Sequence, residues 1–194
     1  MFKMIEVIRD SEYEWFLWLN GFHSPFLDTI MFWVTHRFTW IPLYLYIIYF
    51  LYNKIRFDFV RSILFVLISV GLADRITSGL MKPYFHRFRP CHDPLIQHIV
   101  HVVGNCGGQF GFVSSHASNC FALLSALLIL FKMNKIENRL TLFLLIWAIV
   151  VSYSRIYVGV HYPLDIFVGS IIGLSVGYFS SKVYLKLTLN STHE

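Results

Sequence analysis

Long apolar runs broken by short polar blocks set the pattern of this chain. Residues 59–81, 116–133, 138–158 and 164–187 are such runs, each close to the roughly 20 residues an α-helix needs to cross a bilayer. The run at 39–53 is shorter, and that at 25–37 is too short to cross alone unless the two combine. Five spans are therefore expected, and a sixth if the N-terminal end also crosses. None of the runs alternates as a barrel strand does, and lipid offers no partners to backbone amides, so helices are the economical way across. The expectation is an all-α, integral-membrane bundle of five to six helices.

The first 24 residues read differently. Lys3, Glu6, Arg9, Asp10, Glu12 and Glu14 are mixed with aromatics, without the continuous apolar stretch of a cleavable leader. An amphipathic helix lying in the membrane interface is expected there. The domain plan is then an interfacial segment at 1–24, a membrane domain at 25–187 and a tail at 188–194.

Composition agrees with this plan: 56% of the 194 residues are hydrophobic, 18% aromatic and 14% charged, a membrane protein's balance rather than a soluble domain's. The net charge of +5 does not indicate nucleic acid, because the cations sit in short loops and polar blocks instead of one exposed stripe. Counting crossings puts Lys54, Arg56, Arg61, Lys132, Lys135, Arg139, Lys182 and Lys186 on one side, which the positive-inside rule assigns to the cytoplasm. Three polar blocks fall together on the other side: KPYFHRFRP at Lys82–Pro90, VSSH at Val113–His116 and SRIYVGVHYPLD at Ser154–Asp165. Ionisable groups gathered at the ends of membrane spans point to a functional site, here facing the periplasm or cell exterior from the inner membrane.

Chemistry can be read from each block. Lys82 and Arg89, seven residues apart, offer a point charge and a planar fork to a phosphate's oxygens, and a continuing helix would align them on one face. Ser114 and Ser115 precede His116 at a span's start, where hydroxyls cap the helix and its amides attract an anion. Arg155 precedes His161 by six residues, and Asp165 follows it by four, so that a carboxylate can fix the imidazole tautomer of a nucleophile. A loop of about 25 residues, rich in glycine at Gly104, Gly107, Gly108 and Gly111, separates the first two blocks; loops this long tend to be functional. His86, His92, His98 and His101 match no standard metal-ligand spacing and are expected to be loop residues. Cys120, inside an apolar run, reads as a small buried hydrophobe. Cys91 and Cys106 flank the loop and are either free thiols or, in an oxidising compartment, a disulfide, which in the chain-entropy model would stabilise by roughly 3 kcal/mol.

Taken together, the blocks resemble the signature of the type-2 phosphatidic-acid phosphatase superfamily, K-x6-R-P, P-S-G-H and S-R-x5-H-x3-D. The first and third match throughout; in the second, Val113 stands for the proline and Ser115 for the glycine. The resemblance implies a lipid phosphatase in which His161 takes the phosphoryl group, Asp165 orients it and His116 is the general acid, while Lys82, Arg89, Ser114, Ser115 and Arg155 hold the phosphate oxygens. It implies no metal and no other cofactor, and as partners only a lipid phosphate and the bilayer; the oligomeric state is left open. Undecaprenyl pyrophosphate is the favoured substrate at this stage, with phosphatidylglycerol phosphate or lipid A as alternatives. A non-hydrolytic transporter or scaffold is the reading of another class, which the presence of His116, His161 and Asp165 argues against.

Overall fold

The computed structural model describes residues 2–56, 58–136 and 139–190. The described residues are helical apart from their connections. In chain order the helices are α1 (Phe2–Asn20), α2 (Pro25–Thr35), α3 (Ile41–Lys54), α4 (Phe59–Asp74), α5 (Lys82–Phe85), α6 (Ser115–Met133), α7 (Leu140–Tyr157) and α8 (Pro163–Asn190). A π-helical stretch, Arg75–Met81, joins α4 to α5 in one continuous rod. Of the expected C-terminal tail, residues 188–190 continue α8 and 191–194 lie outside the described residues.

Four rods are long and apolar enough to cross a membrane: Phe59–Phe85, Ser115–Met133, Leu140–Tyr157 and Pro163–Lys186. The two N-terminal runs do not fuse into a fifth. His36 is extended, a 3-10 turn at Arg37–Trp40 follows, and α3 has only 14 residues. Pro42, in its first turn, has no N–H to continue a helix from α2. Outward faces carry Leu64, Leu67, Leu142, Ile146, Phe167 and Ile171, each more than a third exposed, as helices solvated by lipid tails should.

The central rod is α6. Within its span 61% of residues are buried, against 28% for those of α4 and α8. Leu124, Leu127 and Leu130 pack there with Trp147 and Val151 of α7 and Phe65 of α4. Against α8 the contact is backbone to backbone. Gly169, Gly173 and Gly177 repeat every four residues, and a β-carbon on them would stand 2.6 Å from Ser114 O, 2.2 Å from Ser118 O and 2.6 Å from Ser125 Cβ respectively. Lipid provides no hydrophobic drive between helices, so such small-residue seams carry the association. Ser125 Oγ closes the seam by donating to Leu174 O at 3.1 Å.

α1 lies across the motif-bearing end of the bundle. Phe16 is fully buried with Ile96, Ile156 and Tyr162. Asn20, at its C-terminus, donates to His101 O, Ile156 O and Tyr157 O at 3.0, 3.2 and 2.8 Å, while its own oxygen accepts from His101 N at 2.8 Å. One amide thus locks α1, the long loop and the end of α7.

Because a methyl at position 173 would strike a carbonyl of the central helix, Gly173→Ala should cost about 1–3 kcal/mol of stability. Thermal unfolding in detergent should show a lowered midpoint, while Gly71→Ala, where nothing lies within 4 Å of the added carbon, should leave it unchanged or slightly raised.

Candidate active site

The turn between α7 and α8 carries the best-ordered chemistry. Gly159 adopts φ +78°, a conformation glycine takes freely, and a side chain there would meet His101 O at 2.6 Å. Val160 N and His161 N both donate to Arg155 O, at 3.1 and 3.2 Å. Pro163 then opens α8. Asp165 accepts from Tyr162 N at 3.0 Å, as the third residue of a capping box does. The same oxygen faces His161 Nδ1 at 3.3 Å. With Nδ1 protonated and donating to Asp165, the Nε2 lone pair is free. His161 and Asp165 are 1% and 0% exposed. Burial, with the positive charges of Arg155, Arg89 and Lys82 nearby, holds the His161 imidazole well below the usual histidine range and so neutral.

Gly111 seals this pair. A β-carbon there would lie 3.5 Å from both Asp165 Oδ2 and His161 Nδ1, and 3.0 Å from Arg89 Cγ. The glycine-rich loop therefore closes over the site.

The cations reach one centre by different routes. The π-helical turn just before Pro83 absorbs the proline's missing N–H and puts Lys82 Nζ within 3.0 Å of Ser115 Oγ, which also meets Ser78 Oγ at 2.7 Å. The helix does not continue to Arg89, contrary to the alignment on one face expected from the spacing. It stops at Phe85, His86 turns the chain in the left-handed region at φ 47°, and Phe88 bridges Phe110 in extended geometry. Arg89 donates to Phe110 O at 3.2 Å and to Cys106 O. Arg155 donates to the Thr35 hydroxyl, and its Nε is buried with no partner among the described residues. Among the described residues the hydrogen-bond partners of Lys82, Arg89 and Arg155 are all neutral, so no carboxylate is bonded to these cations there.

The two serines divide. Ser114 is fully buried; its hydroxyl caps α6 by accepting from Ala117 N at 3.4 Å, and its amide donates to Asp165 O at 3.1 Å. Ser115 is the one that meets Lys82. His116 lies half-buried beside them and lines, with Arg155, Thr35, His36, Arg37 and Asn105, a cavity of about 300 Å³. Thr35, Arg37 and His116 also line a second cavity of about 230 Å³ with Asn119 and Trp147. Asn119 and Trp147 in turn border an apolar one of about 410 Å³ between α3, α4 and α6. A polar head thus leads into a greasy groove.

Several partners of the site were not singled out by the sequence reading. Arg87 Nη1 donates to Asp165 Oδ1 at 2.9 Å, and its other nitrogen pairs with Glu12 of α1. Its guanidinium lies 4.4 Å from the Tyr162 ring centre. Tyr162 and Tyr13 both donate to Asp93 at 2.8 Å. The R-F-R alternation at 87–89 was the available signal, since period two puts both arginines on one side of an extended segment. The loop histidines hold the scaffold: His101 faces Asp28 at 2.9 Å, His92 meets Gly107 O at 3.2 Å and His86 meets Tyr84 O at 3.3 Å. Cys120 is buried and free. Cys91 and Cys106 are joined, with Cα atoms 6.3 Å apart.

A helical bundle with apolar outer faces here carries a buried histidine–aspartate pair and several cations beside an apolar groove, an arrangement suited to a phosphate borne on a lipid. Residues 59–189 match the PAP2 superfamily, and the chain belongs to it. The chain is 38% identical to the lipid A 4'-phosphatase of Porphyromonas gingivalis over 185 residues, 93% of this chain and 76% of that one. It is 34% identical to the lipid A 4'-phosphatase of Bacteroides thetaiotaomicron, over 95% and 82% of the two chains. Among solved structures, the transmembrane PAP2-type phosphatidylglycerolphosphate phosphatase of Bacillus subtilis shares the fold with a TM-score of 0.68 at 20% identity, covering 93% of this chain and 87% of that one.

Since the Cys91–Cys106 bond holds Cys106, whose carbonyl accepts from Arg89, Cys91→Ser with Cys106→Ser should destabilise by roughly 3 kcal/mol and raise KM more than it lowers kcat. Thermal unfolding and steady-state kinetics on the detergent-purified pair of variants provide the check.

Proposed function

We propose that the chain hydrolyses a phosphate monoester of a lipid A-type glycolipid, releasing phosphate, with the site at the outer face of the inner membrane. The observation that carries this is the match, at 38% identity over 93% of the chain, to a lipid A 4'-phosphatase. It moves the preference away from undecaprenyl pyrophosphate, which the sequence reading favoured. The cavities support the change. Below the cations, Arg37, Asn119 and Trp147 form a second polar level before the apolar groove, and Asn119 Oδ1 and Trp147 Nε1 are buried with no partner among the described residues. Buried polar atoms call for partners. Sugar hydroxyls and amides would supply them, whereas a polyprenyl chain has none to offer.

In this reading the phosphate sits among Lys82, Arg89, Ser115 and Arg155. His161 Nε2 attacks phosphorus as the bond to the leaving oxygen breaks, and His116 gives that oxygen its proton. Asp165 holds the Nδ1 proton and balances the positive charge that appears on the ring. Charge spreading over the phosphoryl oxygens is met by cations already in place. His116 then takes a proton from the water that attacks the phosphohistidine, releasing phosphate and restoring His161. Lys54, Arg56, Lys132 and Lys135, at the opposite ends of the rods, support the outward orientation through the positive-inside rule.

Phosphate release from lipid A, undecaprenyl pyrophosphate and phosphatidylglycerol phosphate, each in detergent micelles, separates the readings: lipid A should be turned over fastest, and faster hydrolysis of the pyrophosphate would overturn the glycolipid assignment. His161→Ala and His116→Ala should each lower kcat by about 1,000-fold or more without preventing membrane insertion. Wild-type turnover by either variant would remove the mechanism. Activity should also persist in chelator.

A further inference from the structure

We propose that Glu12, on the interfacial helix α1, is a positioning residue of the active site, acting through Arg87 on Asp165 and so on His161. This rests on the reading of His161 as the nucleophile.

The geometry is a relay of buried charges from three separate segments. One Glu12 oxygen pairs with Arg87 Nη2, and Arg87 Nη1 donates to Asp165 Oδ1 at 2.9 Å. The other Glu12 oxygen accepts from Leu164 N at 3.2 Å, in the first turn of α8 next to Asp165 itself. Side-chain exposures of 11% for Glu12, 25% for Arg87 and 0% for Asp165 mean that water screens these charges poorly. Arg87 is further hemmed by the rings of Tyr162 at 4.4 Å and Phe112 at 5.9 Å. α1 cannot drift, because Phe16, Asn20 and the Tyr13–Asp93–Tyr162 bonds tie it down.

Charge arithmetic gives the relay its effect. Arg87 alone beside Asp165 would cancel the carboxylate that faces His161. With Glu12 ionised, the trio keeps one net negative charge. That charge is needed only when His161 becomes positive during attack, so losing it should slow the chemical step rather than weaken substrate binding. Burial raises the Glu12 carboxyl above the ordinary glutamate range, against the pull of Arg87, with Asp165 adding to the rise. Its active, ionised form is therefore lost as pH falls through that raised value. The charged and titratable groups around it are Arg87, Asp165 and His161, with Tyr13, Asp93 and Tyr162 behind and Lys82 and Arg89 beyond.

The test uses full-length protein in detergent with lipid A micelles as the probe, comparing wild type, Glu12→Gln, Tyr13→Phe and His161→Ala across pH. Glu12→Gln should lower kcat about tenfold at unchanged KM and shift the acidic limb of kcat to lower pH, since the titrating group is gone. Tyr13→Phe loosens the same helix without touching the relay, and should leave that limb in place. If Glu12→Gln keeps wild-type kcat and pH profile while His161→Ala is inactive, the relay is wrong and the nucleophile stands. Loss of stability alone, with Tyr13→Phe and Glu12→Gln behaving alike and the acidic limb unmoved, would equally overturn it. Turnover by His161→Ala would remove the nucleophile reading and this proposal together.

Discussion

The backbone contact between α6 and α8 is the constraint on which the rest depends. Glycine at 169, 173 and 177 lets the two rods approach until a β-carbon would overlap the carbonyls of Ser114 and Ser118. At that separation Ser114 N can donate to Asp165 O. Two sequence blocks about fifty residues apart, one carrying His116 and one carrying His161, are thereby fixed at the same depth. On the proposed mechanism, phosphoryl transfer tolerates little misplacement between His161 and His116, so a packing feature with no polar chemistry of its own would govern the chemistry.

Much of this was legible in the sequence. Long apolar runs gave the four rods closely, because period and length are strong signals in lipid. The three polar blocks marked the candidate residues that the fold gathers at one end of the bundle, since a charge beside hydrocarbon needs a reason. The N-terminal pair was harder. Pro42 and the turn at Arg37–Trp40 break what hydropathy alone would join. The route from Lys82 to Arg89 was also hidden, because a left-handed His86 converts helix to extended chain and seven-residue spacing cannot report that. Glu12 was hidden for a different reason. Its partner stands 75 residues away in the chain, and a single acid on an amphipathic helix reads as an ordinary solvated face until tertiary structure brings it to Arg87.

What the folded chain adds is a division between charges that are neutralised and charges that are not. Asp165, Arg87 and Glu12 compensate one another, and Gly111 of the long loop lies against Asp165. Lys82, Arg89 and Arg155 rest on a serine hydroxyl, two carbonyls and a threonine hydroxyl. Neutral acceptors fix direction without consuming charge. Had carboxylates held these three cations, they would be worth little to a phosphate, because an arriving dianion would have to displace an ion pair already made in low dielectric.

That division also gives the reason for the role proposed for α1. In the proposed mechanism a carboxylate with no exposed surface, facing an imidazole that becomes positive, needs enough counter-charge to stay ionised at rest and not so much that it loses its pull during attack. Arg87 alone answers the first requirement and defeats the second. In that proposal a further anion meets both, provided it reaches Arg87 without touching His161. α1, anchored by Asn20 and Phe16 on the same surface, is the element placed to deliver it.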